Sequence, residues 1–93
     1  MKKITVYQTK NEKDFTNNML AMFSKRYTSI EEMEPVVMLR EQDIPDEDIL
    51  NSVFEKMNSH EYSYSLNYSL SVGDIVSIDG VSYRCEPTGW SVV

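Results

Sequence analysis

The sequence predicts a small α+β domain. It is expected to be an antiparallel sheet of about five strands, ending in a three-stranded meander and packed by one or two helices. Three observations predict it. The last stretch, "YSLSVGDIVSIDGVSYRCEPTGWSVV", holds three apolar runs separated by two glycine-bearing turns. The stretch "IPDEDILNSVFEKMNSH" repeats apolar residues at helical spacing, and "KITVYQT" alternates apolar and polar residues. At 93 residues the chain is expected to be one domain, residues 1–93, with one modest core.

Lys3 to Thr9 is the first expected strand, rich in β-branched residues. Thr9, with Glu12 three residues on, resembles a capping box, and Phe15, Met19, Met22, Phe23 and Tyr27 fall on one helical face. The spacing predicts a helix over about 11–26. "TSIEEME" offers one further turn, capped by Thr28 or Ser29, and Pro35 to Glu41 is a second strand with Pro35 at its start. The second helix begins near Pro45. Asp46, Glu47 and Asp48 sit where the positive end of the helix dipole favours acids. Ile49, Leu50, Val53, Phe54 and Met57 form its apolar stripe, and Asn58, Ser59 and His60 end it. Tyr62, Tyr64, Leu66 and Tyr68 then alternate with polar residues, as a strand or an ordered loop.

The meander has a register that can be read from its turns. Asp79-Gly80 signals a type I′ hairpin, which needs positive φ at both central residues. That turn pairs Ile78 with Val81, Val76 with Tyr83 and Asp74 with Cys85. A second turn, "EPTG", places Trp90 across from Cys85 and Val92 across from Tyr83. One face is then Val76, Ile78, Val81, Tyr83, Cys85, Trp90 and Val92, built for burial. The other shows Ser77, Ser82 and Arg84.

Composition narrows the function classes. The net charge is -6, and a direct nucleic-acid binder normally carries a basic face, so that class is disfavoured. No apolar run approaches the roughly 20 residues of a membrane span, and the N-terminal stretch lacks the apolar core of a signal peptide. The single Cys85 excludes an intramolecular disulfide, and a reducing, cytoplasmic setting is expected. The charge is unevenly placed. Between Glu31 and Asp48 stand eight acids (Glu31, Glu32, Glu34, Glu41, Asp43, Asp46, Glu47, Asp48) and one base, Arg40, for a net -7. The rest of the chain has eight bases and seven acids, a net +1.

Catalytic groupings are sparse. Cys85 with His60 is the one nucleophile–base pair that a hydrolase could use, but the register puts Cys85 on the apolar face beside Trp90. Asp74 and Asp79 lie five residues apart on one strand and point to opposite faces. Gly73, Gly80 and Gly89 form no phosphate-cradling loop, and two ligands do not make a zinc site. No catalytic residue, metal or cofactor is expected. Tyr62, Tyr64 and Tyr68 suit packing or a protein interface better than base stacking, because Arg84 is the only base from Ser59 onward.

The pieces "ILNSVFEKMN", "SLSVGDIV", "VSYRC" and "TGW" resemble the YodL-like domain of phages and mobile elements in Gram-positive bacteria. The resemblance covers roughly Tyr27 to Val93. The family often has an Asp where Cys85 or Glu86 stands, and Ser-Asp in place of Gly73-Asp74. The resemblance implies a genetic context and no catalytic residues. In size, charge and setting the chain is also similar to anti-CRISPR proteins directed at type II effector nucleases, which hold guide and target in a basic channel. The leading expectation is a non-enzymatic inhibitor, acting in the bacterial cytoplasm, whose eight window carboxylates occupy phosphate sites of such a protein partner. It would bind neither nucleic acid directly nor membrane. The alternative is a mobile-element adaptor that binds through the Tyr62–Tyr68 region.

Overall fold

The structure, a computed structural model, describes residues 1–10, 27, 29–59, 66 and 70–93. Among the described residues, five strands and one helix form a small α+β fold: β1 (Lys2–Thr9), β2 (Met33–Glu41), α1 (Asp46–Met57), β3 (Ile75–Ile78), β4 (Val81–Glu86) and β5 (Gly89–Val92). A 3-10 turn, Ile30–Glu32, leads into β2. The sheet is antiparallel throughout, in the order β2-β1-β3-β4-β5. The N-terminal strand is therefore an interior strand between β2 and β3, β3 lies at the centre, and β2 and β5 are the edges. The expected helix over 11–26 and the Tyr62, Tyr64 and Tyr68 stretch lie outside the described residues.

The meander folds in the register that its turns dictate. Val76 pairs with Tyr83, Ile78 with Val81, Cys85 with Trp90 and Tyr83 with Val92. Asp79 and Gly80 have φ of 47° and 88°, the two positive values a type I′ turn requires. Asp79 also reaches sideways. Its carboxylate accepts from the Lys3 amide at 2.8 Å, and its own amide donates to the Lys3 carbonyl at 2.9 Å. The hairpin tip is thereby tied to the start of β1.

The core lies between α1 and one sheet face. Ile49, Leu50, Val53 and Met57 of the helix pack on Ile4, Val6, Val37, Val76 and Ile78, all buried, with Leu70 completing the cluster. Removing these side chains from water is the main stabilising term, about 1.5–3 kcal/mol for each fully buried aliphatic residue. Asn58, just past the helix, accepts from the Leu70 amide at 2.9 Å and fixes where the chain re-enters the sheet.

Four expectations need correcting. Val81 and Val92 are exposed, because Val81 directly follows the hairpin turn and Val92 ends the edge strand β5. Phe54 is 40% exposed and Trp90 half-buried, so both sit on the rim of the core; their rings meet edge to face at 6.4 Å. Pro35 lies inside β2 rather than at its start. It is tolerated there because β2 is an edge strand whose pairing slips by one residue beside it, at Val36. Arg84, expected on the open face, is only 8% exposed. The row Pro35, Tyr7, Ile75, Arg84 and Ser91 crosses all five strands on the face away from α1. Ile75 and Arg84 within it are buried, as are Thr9 and Met33 beside it. The sheet is thus covered on both faces at this end and open at the other, where Met38 is 73% exposed.

Candidate functional site

The eight window carboxylates sit at the two ends of β2. Glu31 and Glu32 are on the 3-10 turn and Glu34 near the strand's start, while Glu41 ends it. Asp43 lies in the following loop, and Asp46, Glu47 and Asp48 form the first turn of α1. Seven residue steps separate Glu34 from Glu41, about 23 Å at ~3.3 Å per residue of strand. The structure brings together Glu41, Asp43, Asp46, Glu47 and Asp48 as one group and Glu31, Glu32 and Glu34 as another. It does not bring the eight into one patch.

The two groups differ in what surrounds them. At the helix end, Asp46 is a structural tie. Its carboxylate accepts from Lys2 Nζ at 2.9 Å and from the Tyr83 hydroxyl at 2.6 Å. Lys2 donates as well to the Ile44 carbonyl at 2.8 Å. The Tyr83 hydrogen bond first, then that from Lys2, lowers the Asp46 pKa from its ordinary 3.8. The same bond, with burial and the nearby charge, raises that of Tyr83. Glu41 pairs with Lys56 of the helix, and Asp43 stands 3.8 Å from the N-terminal amine.

Glu31, Glu32, Glu47 and Asp48 are exposed and make no ion pair among the described residues. These four are the window's freely presented charges, two at each end of β2. The local sequence explains the helix pair: acids in the first turn of α1 face the unpaired amides there without consuming a basic partner. Glu31 and Glu32 occupy consecutive positions of a three-residue turn with no buried residue, so both point to solvent.

The other sequence candidates resolve into scaffold. Cys85 is buried, and burial first, then Asp74 and Glu86, pushes its thiol up to about 11, so it stays protonated at neutral pH. His60 lies outside the described residues. Asp74, 1% exposed, accepts from the Ser71 amide at 2.9 Å and from Gln8 Nε2 at 3.2 Å. Gly73 has φ 96° and donates to the Cys85 carbonyl, and Cys85 donates back to the Asp74 carbonyl, both at 2.8 Å. The stretch Ser71 to Asp74 is therefore a turn closed by its own Asp and stitched to β4. Among the described residues no group of three or more His, Cys, Asp or Glu could hold a metal ion, and no helix is long and apolar enough to cross a membrane.

Two concavities flank Trp90, and periodicity did not reveal them. One, of about 480 Å³, lies between Phe54 and Asn51 of α1, the Ser71-Val72 turn and the β4–β5 turn. The other, of about 430 Å³, runs from Asp46 and Glu47 to Tyr83 and Val92. Trp90, Asn51 and Gly89 wall both, so the helix–β5 seam is one interrupted groove whose acidic mouth is the first turn of α1. The signal for it in the sequence was Phe54, which lies at one edge of the helical stripe at 100° per residue.

Comparison with protein-family models, with curated proteins and with solved structures finds no match to this chain.

Proposed function

We propose that the protein is a non-enzymatic inhibitor that docks on a basic, nucleic-acid-binding groove of a host-defence nuclease, of the type II effector class. The observation that carries this reading is the concentration of charge: -7 within Glu31 to Asp48 against +1 in the rest of the chain. A solvated face needs no such clustering, and clustered like charge works against a compact state. The exposed pairs Glu31–Glu32 and Glu47–Asp48 are the contact points. The strand between them runs about 23 Å from Glu34 to Glu41, comparable with about seven nucleotide steps of one strand at 3.4 Å each. A groove lined by Arg and Lys to follow a phosphate backbone would meet carboxylates at both ends of the strand. Asp46 and Glu41 support the reading indirectly, since Asp46 ties α1 to β1 and β4 and Glu41 ties β2 to α1.

The test is a titration of the purified protein into target-cleavage reactions of type II effector nucleases. Cleavage is expected to stop near one equivalent, and the block to weaken on the order of tenfold as salt rises from about 50 to 200 mM, since exposed charges are screened. Reversing Glu31 and Glu32 together with Glu47 and Asp48 to Lys is expected to abolish the block and leave the fold intact. The control reverses Glu12 and Glu55, outside the window. Equal loss in the control would mean that net charge alone acts, and the docking model fails.

A further inference from the structure

Arg84 is the least expected side chain of the sheet. It is 8% exposed, and its guanidinium carbon lies 5.1 Å from the centre of the Tyr27 ring. Among the described residues none accepts a hydrogen bond from it. An Arg is charged at every physiological pH and carries five N–H donors, so burying it without acceptors costs several kcal/mol. Leu or Met would fill the same position beside Ile75 without that cost. Nor is the charge neutralised by direct pairing among the described residues: Asp74 and Glu86 act on it through space, without an ion pair to it.

The donors are not sealed in. None of the Arg84 nitrogens is cut off from the surface. Arg84 lines a cavity of about 340 Å³ whose other walls, among the described residues, are Tyr27, Ser29, Glu86, Ser91 and Val93. Ser91 pairs with Arg84 across β4–β5, so a hydroxyl stands beside the guanidinium on the same face. Ser29 precedes the 3-10 turn and uses no side-chain capping bond there. The cavity therefore combines a planar cation held against an aromatic ring, two hydroxyls and an apolar side chain, Val93.

We propose that this cavity is a carboxylate-binding site, in which Arg84 receives the anion through its two-pronged donor edge while Tyr27 holds the guanidinium plane. A carboxylate matches that edge with two parallel N–H···O bonds. Glu86 in the wall, and Glu31 and Glu32 just after Ser29, select against a doubly charged phosphate, because each adds repulsion that a monoanion feels half as much. The same acids keep the affinity low. The carboxylate comes either from an acidic side chain of a protein partner or from a free small acid. The site lies on the sheet face away from α1, is independent of the inhibitor reading, and stands or falls separately from it.

The experiment uses the full chain labelled with 15N and follows the Arg84 Nε–H and Ser91 amide signals. The probes are sodium acetate, a capped Gly-Glu-Gly peptide, inorganic phosphate, and sodium chloride at matched ionic strength. Acetate and the peptide are expected to shift both signals saturably, and chloride is not. Arg84→Lys keeps the charge but loses the two-pronged edge, and is expected to weaken binding at least tenfold. Tyr27→Leu frees the guanidinium and is expected to weaken it less. A peptide tenfold tighter than acetate assigns a partner's side chain; equal affinity assigns a free acid. The proposal is overturned if no carboxylate produces a saturable shift, if Arg84→Lys binds as well as the parent, or if phosphate binds more tightly than either carboxylate.

Discussion

The two ends of β2 carry the same kind of residue to different ends. At the Glu41 end, three of five acids are engaged: Glu41 by Lys56, Asp43 by the N-terminal amine, Asp46 by Lys2 and Tyr83. At the Glu31 end, Glu31 and Glu32 stand in solvent without an ion pair among the described residues. Charge counted along the chain is therefore not charge presented at the surface. What decides is whether the fold brings a cation to the carboxylate, and the antiparallel pairing of β1 with β2, Lys2 opposite Glu41, brings Lys2 to one end only.

The largest expected effect sharpens this contrast directly. Asp46→Ala removes the acceptor of both Lys2 and Tyr83 and is expected to lower stability by about 1–2 kcal/mol. Glu31→Gln with Glu32→Gln is expected to change it by less than about 0.5 kcal/mol. Urea denaturation monitored by Trp90 fluorescence measures both. Equal losses would break the comparison, because the Glu31 end would then be tied as firmly as the other.

The acid limb of stability gives a second, smaller difference. Asp46 has its pKa lowered in the folded state, so its contribution is present above the ordinary 3.8 and is lost as pH falls through the lowered value. Asp46→Asn is expected to flatten the stability profile below about pH 4, and the Glu31/Glu32 variant to leave it unchanged. Tyr83 acts at the other limit. Its pKa is raised above the ordinary 10.0, so its contribution is full below that pH and is lost as pH rises through the raised value. Thermal melts across the two ranges check both signs. The smallest effect is expected for Lys56→Ala. Its pair with Glu41 is on the surface, with the lysine 45% exposed, and is expected to contribute about 0.5 kcal/mol or less and to fade in high salt.

Much of the scaffold was legible because its determinants are local. The Asp79-Gly80 turn follows from two residues that accept positive φ, and once it is placed the pairing of Val76 with Tyr83 has no freedom. The stripe Ile49, Leu50, Val53 and Met57 follows from helical spacing, and all four are buried. Phe54 belongs to the same spacing but falls on the rim, since periodicity assigns a face and says nothing of how far the facing sheet extends. The candidate site was legible only as a composition. The window of eight acids is plain in the chain, and which of them are tied (Glu41, Asp43 and Asp46) and which are presented (Glu31, Glu32, Glu47 and Asp48) is not.

The sequence by itself determined the strands, the turns, the helix and the sum of charge, because each depends on residues within a few positions of one another. The tertiary structure alone decided three things. It set β1 inside the sheet, between β2 and β3, and β2 at the edge. It brought Lys2 and Tyr83 to Asp46 across 44 and 37 residues, which removed that carboxylate from the presented set. It buried Arg84 under Tyr27 on a face whose strand pattern is polar. Each of these is a matter of distance through space, and burial and pairing act through that distance rather than along the chain.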